Sequence, residues 1–260
     1  MRAATSQSKV ELYCVSRSNE CELTHLDRQP IDLDLARAQH QQYEAALREA
    51  GCEVISLPAE AELPDAVFVE DVALVFDEVA IITRPGADSR KPEAESIARA
   101  LSPYRTLCTI EAPGTLDGGD VLRVGKTVYI GLSSRSNRSA VEQTQKFLAP
   151  YGYTVKGVEV TGCLHLKSAV TQVNDDILLI NPAWVDRSIF GTMKFIEVDE
   201  AEPSAANAVW IGDTVLYPSS FPETQRRLEE AGLHLKIVDA TEVAKAEGAV
   251  TCCSLIFKKR

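Results

Sequence analysis

Asp71-Val-Ala-Leu-Val-Phe-Asp-Glu-Val-Ala-Ile-Ile82 recurs along the chain, and its recurrence decides the fold. The segment lies without a gap over Asp120-Val-Leu-Arg-Val-Gly-Lys-Thr-Val-Tyr-Ile-Gly131, 49 residues on. A third copy, Ala169-Val-Thr-Gln-Val-Asn-Asp-Asp-Ile-Leu-Leu-Ile180, stands 98 residues after the first. A looser fourth, at shorter spacing, is Ala206-Asn-Ala-Val-Trp-Ile-Gly-Asp-Thr-Val-Leu-Tyr217. Each reads as a β-hairpin, because apolar β-rich runs flank a short polar turn: Asp77-Glu78, Gly125-Lys126, Asn174-Asp175-Asp176 or Gly212-Asp213.

The segments after the hairpins also repeat. Lys91 to Leu101 has helical spacing and Arg105 to Ile110 has strand character. After the second hairpin, Asn137 to Leu148 carries Ala140, Val141, Phe147 and Leu148 in a helical pattern, before Tyr153 to Val160 returns to strand. Pro222 to Ala231, with Gly232 in the capping position, and Leu233 to Val238 complete the fourth unit. The unit is therefore ββαβ. A fifth is expected from the two ends of the chain, where Val250 to Lys258 would pair with Lys9 to Val15, followed by a helix over Leu33 to Ala50 and a strand over Glu53 to Leu57. The predicted fold is α/β: a five-fold pseudosymmetric propeller of ββαβ units, one domain over residues 1–260, closed by the N- and C-terminal strands. A ring of small sheets removes exposed edges and leaves a central channel.

Composition bounds what such a ring could do. With 45% apolar and 25% charged residues, the 260-residue chain has ordinary globular usage and can bury a substantial core. Lys and Arg number 27 against 38 Asp and Glu, and the net charge of -11 repels phosphate backbones and anionic headgroups, which argues against a nucleic-acid or membrane-surface partner. MRAATSQSKVELY has no apolar signal core, and the longest apolar run, Val72 to Phe76, is too short to span a bilayer. Seven cysteines without a CxxC pair indicate neither a disulfide framework nor a zinc cage, and a reducing cytoplasm is the expected location.

Polar residues that the repeat does not explain gather at strand ends: Asp65, Glu70-Asp71, Asp117-Gly-Gly-Asp120, His165 and Thr251-Cys-Cys-Ser254. In a ring of repeats, equivalent hairpin entrances face one end of the channel, so these residues could converge on one pocket. Singly, each has a plainer reading. Asp117 and Asp120 beside glycines are turn formers. His165 alternates with Leu164 and Leu166 and points away from their shared face, as a catalyst or as a satisfied polar residue. Cys252 and Cys253, read as strand neighbours, point to opposite faces, so only one thiol can face the channel. Together, a thiol, a histidine and several carboxylates suit a planar cation such as a guanidinium, whose N–H groups pair bidentately with carboxylates. A thiolate can attack its central carbon, a bound cation lowers the thiol pKa, and a histidine can protonate the departing amine.

Pro64-Asp-Ala-Val-Phe-Val-Glu-Asp-Val-Ala-Leu-Val75, Ile82-Thr-Arg-Pro-Gly-Ala87, Thr115-Leu-Asp-Gly-Gly-Asp-Val-Leu122, Gly131-Leu-Ser133, Leu164-His-Leu-Lys-Ser168 and Thr251-Cys-Cys-Ser254 resemble, in order and spacing, the dimethylarginine dimethylaminohydrolase family. That family belongs to the guanidino-group-modifying (pentein) superfamily of five-bladed α/β-propellers. The N-terminal sixty or so residues match poorly. The resemblance implies that Cys252, two residues before Ser254, is the nucleophile and Cys253 a packing residue. It makes His165 the general acid and then the base for water, and Asp117 the carboxylate that orients the reacting groups. It further implies that Asp65, Glu70 and Asp71 bind the guanidinium and α-amino ends of a small cationic substrate. Arg90 and Arg135 would grip the substrate's α-carboxylate, while Phe68, Leu23 and Ala246 line the pocket.

The implied reaction is hydrolysis of Nω-methylated arginine to citrulline and methylamine or dimethylamine through a thiouronium on Cys252, with no metal or organic cofactor, in a monomer or homodimer. Cys252 and His165 could capture Zn²⁺ adventitiously, which would inhibit by masking the thiolate. An arginine deiminase or amidinotransferase would share this machinery, but those relatives resemble longer chains. A noncatalytic binding ring would have no reason to keep both thiol and imidazole.

Overall fold

The computed structural model describes residues 12–17 and 30–259. Near the N-terminus come strand β1 (Leu12–Arg17), helix α1 (Leu33–Glu49) and strand β2 (Cys52–Leu57). Helix α1 starts at Asp32, whose side chain accepts the free N–H groups of Asp34 and Leu35. The first repeat supplies β3 (Ala73–Val75), β4 (Val79–Ile82), α2 (Glu93–Leu101) and β5 (Thr106–Thr109). The second supplies β6 (Val121–Val124), β7 (Thr127–Leu132), α3 (Arg138–Leu148) and β8 (Thr154–Glu159).

A short helix α4 (Leu166–Ala169) introduces the third repeat, which holds β9 (Val170–Asn174), β10 (Ile177–Ile180) and β11 (Lys194–Glu197). Its crossover departs from the expected ββαβ pattern: only a 3₁₀ turn, Arg187–Phe190, stands where the other repeats have an α-helix. Pro182 and Gly191 bracket a segment too short and too interrupted for three helical turns. The fourth repeat supplies β12 (Val209–Ile211), β13 (Thr214–Pro218), α5 (Pro222–Glu230) and β14 (His234–Val238), and the chain continues through α6 (Thr241–Ala244) to β15 (Ser254–Lys258).

The strands form five separate three-stranded sheets. In each, an antiparallel hairpin is extended by a parallel strand, in the orders β3-β4-β5, β6-β7-β8, β9-β10-β11, β12-β13-β14 and β15-β1-β2. The two ends of the chain thus share a sheet, with Leu12 opposite Lys258 and Ser16 opposite Ser254. Each sheet is open, and strand pairing does not run from one to the next among the described residues. Gly125 and Gly212 hold φ of +58° and +60° at the first turn position of their hairpins, where tight antiparallel turns demand glycine.

Five apolar clusters lie between sheets rather than within them. Ile82, Ile97 and Leu101 meet Leu255 and Phe257; Leu74 and Ile81 meet Ile130 and Leu148; Leu122 and Tyr129 meet Leu178 and Ile180. Val173 and Leu179 meet Val215 and Tyr217, and Val209 and Leu216 meet Tyr43 and Leu47 of α1. Each fully buried aliphatic side chain stabilises by about 1.5–3 kcal/mol, so these contacts bind neighbouring sheets to one another. One strand of every sheet, at Leu74, Leu122, Thr171, Val209 and Ser254, borders a cavity of about 1340 Å³. No helix among the described residues is long and apolar enough to cross a membrane.

Candidate active site

The Asp117-Gly-Gly-Asp120 segment enters β6 through a 3₁₀ turn, and its glycines are there for proximity. A Cβ on Gly118 would lie 2.0 Å from the Glu70 carbonyl oxygen, and one on Gly119 would lie 2.7 Å from His165 Nδ1 and 2.9 Å from Asp71 Oδ1. Only a bare backbone lets Asp117, Asp71 and His165 approach so closely. Asp117, 1% exposed, accepts from the Gly86 N–H through Oδ1 (2.8 Å), and its Oδ2 meets His165 Nε2 at 3.2 Å. Gly119 N–H donates to Asp71 Oδ1 at 2.9 Å. Asp71, Asp117 and His165 each present a potential ligand atom within 4.8 Å of the others, the one such buried group among the described residues.

His165 lies in a loop, not in the strand its alternation with Leu164 and Leu166 suggests. Its extended backbone precedes α4, and Leu166 N–H donates to Asp120 Oδ1 at 3.0 Å. Burial opposes a charged imidazole, but the carboxylates of Asp71, Asp117 and Asp120 prevail and push the pKa up to about 9. At neutral pH the ring is an imidazolium.

Cys252 and Cys253 also leave the expected strand: they belong to a turn before β15. Cys253 is packed away at 4% exposure, whereas Cys252 is partly exposed. Burial, together with the neighbouring carboxylates of Glu70 and Asp71, pushes the Cys252 thiol well up and favours its neutral form. Its turn is tied down from three sides: Glu70 N–H donates to the Cys252 carbonyl (3.1 Å), Thr251 N–H to Asn207 Oδ1 (3.0 Å), and Thr251 Oγ1 to Glu70 Oε2 (2.7 Å).

The other expected site residues differ in exposure and in the contacts they make. Asp65 and Arg135 are partly exposed. Ala246 is partly buried and packs on the cluster that contains Phe68. Glu70 is engaged: Lys167 Nζ donates to Oε1 at 2.6 Å, and burial still pushes its pKa up. Arg90 is more fully committed, because Nη1 donates to Asp71 Oδ2, Nε and Nη2 to Glu93, and Nη2 to the carbonyls of Asp65 and Phe68. Phe68 also stacks its ring 5.9 Å from the Arg90 guanidinium carbon. Arg90 therefore holds the carboxylate that flanks His165 and is not poised toward open space. Leu23 lies outside the described residues.

Lys167, Asn207 and Glu93 support the site without standing out in the sequence. Their partners sit 97, 44 and 3 positions away, and only the last spacing leaves a local trace.

A family profile described as "N,N dimethylarginine dimethylhydrolase, eukaryotic" matches residues 15–188. The N(G),N(G)-dimethylarginine dimethylaminohydrolase of Streptomyces coelicolor is 39% identical, over 91% of this chain and 92% of the relative. The Pseudomonas aeruginosa enzyme of the same name is 36% identical, over 86% of this chain and 90% of the relative. A crystal structure of a P. aeruginosa dimethylarginine dimethylaminohydrolase, a cysteine-to-serine mutant complexed with citrulline, superposes with a TM-score of 0.91 at 33% identity, covering 95% of this chain and 99% of that one.

Proposed function

The chain belongs to the dimethylarginine dimethylaminohydrolase family, and from that premise we propose that it hydrolyses Nω-methylated arginines to citrulline, releasing dimethylamine or methylamine. The observation that carries the reading is His165, a buried imidazolium bracketed by Asp117 and Asp71, with Asp71 also among the carboxylates that bear on the partly exposed Cys252. A cation arriving between Glu70, Asp71 and the thiol reverses the local charge, and the neutral thiol can then release its proton to solvent.

The Cys252 thiolate adds to the guanidinium carbon. As the C–N bond to the methylated amine breaks, His165 delivers its proton to the leaving nitrogen, and Asp117 fixes the ring for that transfer. The neutral imidazole next takes a proton from the water that attacks the thiouronium carbon, and breaking the C–S bond, with the hydroxyl proton passing to solvent or to the released amine, returns the thiolate and citrulline. Asp65 takes the α-amino end. Arg135 grips the α-carboxylate, and Arg90 joins it only by exchanging one of its present partners. Phe68 and Ala246 wall the pocket.

The five sheets belong, in this reading, to one pseudosymmetric propeller and one domain over residues 1–260. Two observations support the ring: the apolar clusters link the sheets in cyclic order, and the cavity is bordered by one strand of each. A cytoplasmic monomer or homodimer fits the free thiols.

The test is citrulline and dimethylamine release from asymmetric dimethylarginine under metal-free conditions, with Cys252→Ala and Cys253→Ala alongside. Loss in Cys252→Ala alone is expected. Turnover retained in Cys252→Ala overturns the mechanism, and faster turnover of unmethylated arginine reassigns the chain to deimination.

A further inference from the structure

Asp120 is wholly buried, does not line the open site, and yet lies at the centre of three of its parts. Oδ1 accepts from Leu166 N–H at 3.0 Å, which starts the turn that carries His165. Oδ2 accepts from two serine hydroxyls, Ser133 Oγ and Ser136 Oγ, each at 2.6 Å. Each serine then passes the contact on. Ser136 Oγ accepts from the Asp117 N–H at 3.1 Å, and Ser133 Oγ accepts from the Arg135 N–H at 2.9 Å. Gly131 clears the space, because a Cβ there would stand 2.7 Å from Asp120 Oδ1.

The polarity of this network comes from hydrogen-bond inventory. An ionised carboxylate only accepts, and a serine hydroxyl has a single proton. With both hydroxyl protons drawn to Oδ2, the serine lone pairs are turned toward the Asp117 and Arg135 amides. A side chain that donates at the Oδ2 position would reverse both serines. Burial pushes the Asp120 carboxyl up, and the His165 imidazolium, the two serine hydroxyls and the Leu166 amide act against that rise by stabilising the ionised form.

We propose that Asp120 is a positioning residue that sets the general acid, its orienting carboxylate and the carboxylate-binding arginine from one buried carboxylate, with Ser136 as the branch toward Asp117 and Ser133 as the branch toward Arg135. The inference rests on the roles assigned above to His165, Asp117 and Arg135. The branches are joined where the Ser136 N–H donates to Ser133 Oγ at 3.2 Å, but the two hydroxyls end on groups with different tasks, so they predict different kinetic signatures.

Steady-state kinetics on asymmetric dimethylarginine with the full chain test this. Ser136→Ala should lower kcat about tenfold and leave KM within about twofold, and Ser133→Ala should raise KM about tenfold with kcat within about twofold, the scale of one buried hydrogen bond in each case. Ser136→Thr and Ser133→Thr, which keep the hydroxyl, should recover most of each loss, and Asp120→Asn should show both defects. A purely structural role would lower thermal midpoints and active fraction without splitting kcat from KM. Equal changes in both parameters for the two alanine variants, or none, overturn the proposal. An inactive wild-type chain overturns the functional reading instead. In that event crystal structures still decide: in Asp120→Asn, or in Ser136→Ala if that variant does not fold, the Asp117 carboxylate should leave its contact with the His165 ring, and an unmoved contact overturns the positioning role.

Discussion

Asp117 holds His165 from one side only: its Oδ2 meets Nε2 at 3.2 Å, while its Oδ1 is held by the Gly86 N–H, so the carboxylate has little freedom to rotate away. Asp117→Asn keeps the shape and removes the charge. We expect kcat on asymmetric dimethylarginine to fall about 10²–10⁴-fold, the usual range for a disabled acid–base group, with the alkaline limb of the pH–rate profile moved to lower pH. An unchanged limb would show that the two residues do not share a proton-transfer role.

The same ring makes stability depend on pH. His165 titrates at about 9 in the fold against an ordinary value of 6.5, so its charged form is favoured by folding. That contribution, about 3 kcal/mol, is fully present below pH 6.5 and is lost as pH rises toward 9. Thermal unfolding of wild type and His165→Gln across this window should converge as pH rises, and parallel curves would contradict the assignment.

Gly118 allows no side chain. A Cβ 2.0 Å from the Glu70 carbonyl meets backbone, which cannot swing aside as a flexible side chain would. Gly118→Ala should cost at least about 2 kcal/mol by denaturant unfolding and lower activity through displacement of both Glu70 and Asp117. Wild-type stability in this variant would mean that the 69–72 turn moves freely.

Zinc should inhibit, because thiolate and imidazole are its preferred ligands. Micromolar Zn²⁺ is expected to suppress citrulline release, a chelator to restore it, and Cys252→Ala to weaken zinc binding in calorimetry. Binding unaffected by that substitution would place the ion on Asp71, Asp117 and His165, which also come within ligand reach of one another.

The hairpins are legible in the sequence because their causes are local: Gly125 and Gly212 sit where a tight turn requires positive φ, and β-rich runs flank them. Two segments whose local pattern misleads have distant causes. Val250-Thr-Cys-Cys253 has strand-forming residues, but Asn207 and Glu70 bind Thr251 and bend the segment into a turn. Leu164-His-Leu166 alternates like a strand, yet Asp120 captures the Leu166 amide and starts a helix. A thiol, a histidine and several carboxylates in an acidic chain suggest guanidinium chemistry as residue types, and the family resemblance is what points to Cys252, His165 and Asp117. That Arg90 is held by Asp71 and Glu93 cannot be read there, since a guanidinium in a sequence does not show which carboxylate it will face in a buried interior.

The sheet that joins β15 to β1 and β2 has a consequence for the chain as it leaves the ribosome. Among the described strands β1 is synthesised first and β15 last, and Cys252 stands two residues before β15 begins. The nascent polypeptide carries His165, Asp71 and Asp117 long before Cys252, and the strand that follows Cys252 has its partner waiting near the opposite end. Such pairing closes the longest loop the topology contains and is entropically slow. Assembly of the site therefore waits for β15 to pair with β1, and a chain that stops before residue 252 lacks the thiol to which the proposed mechanism gives the attack.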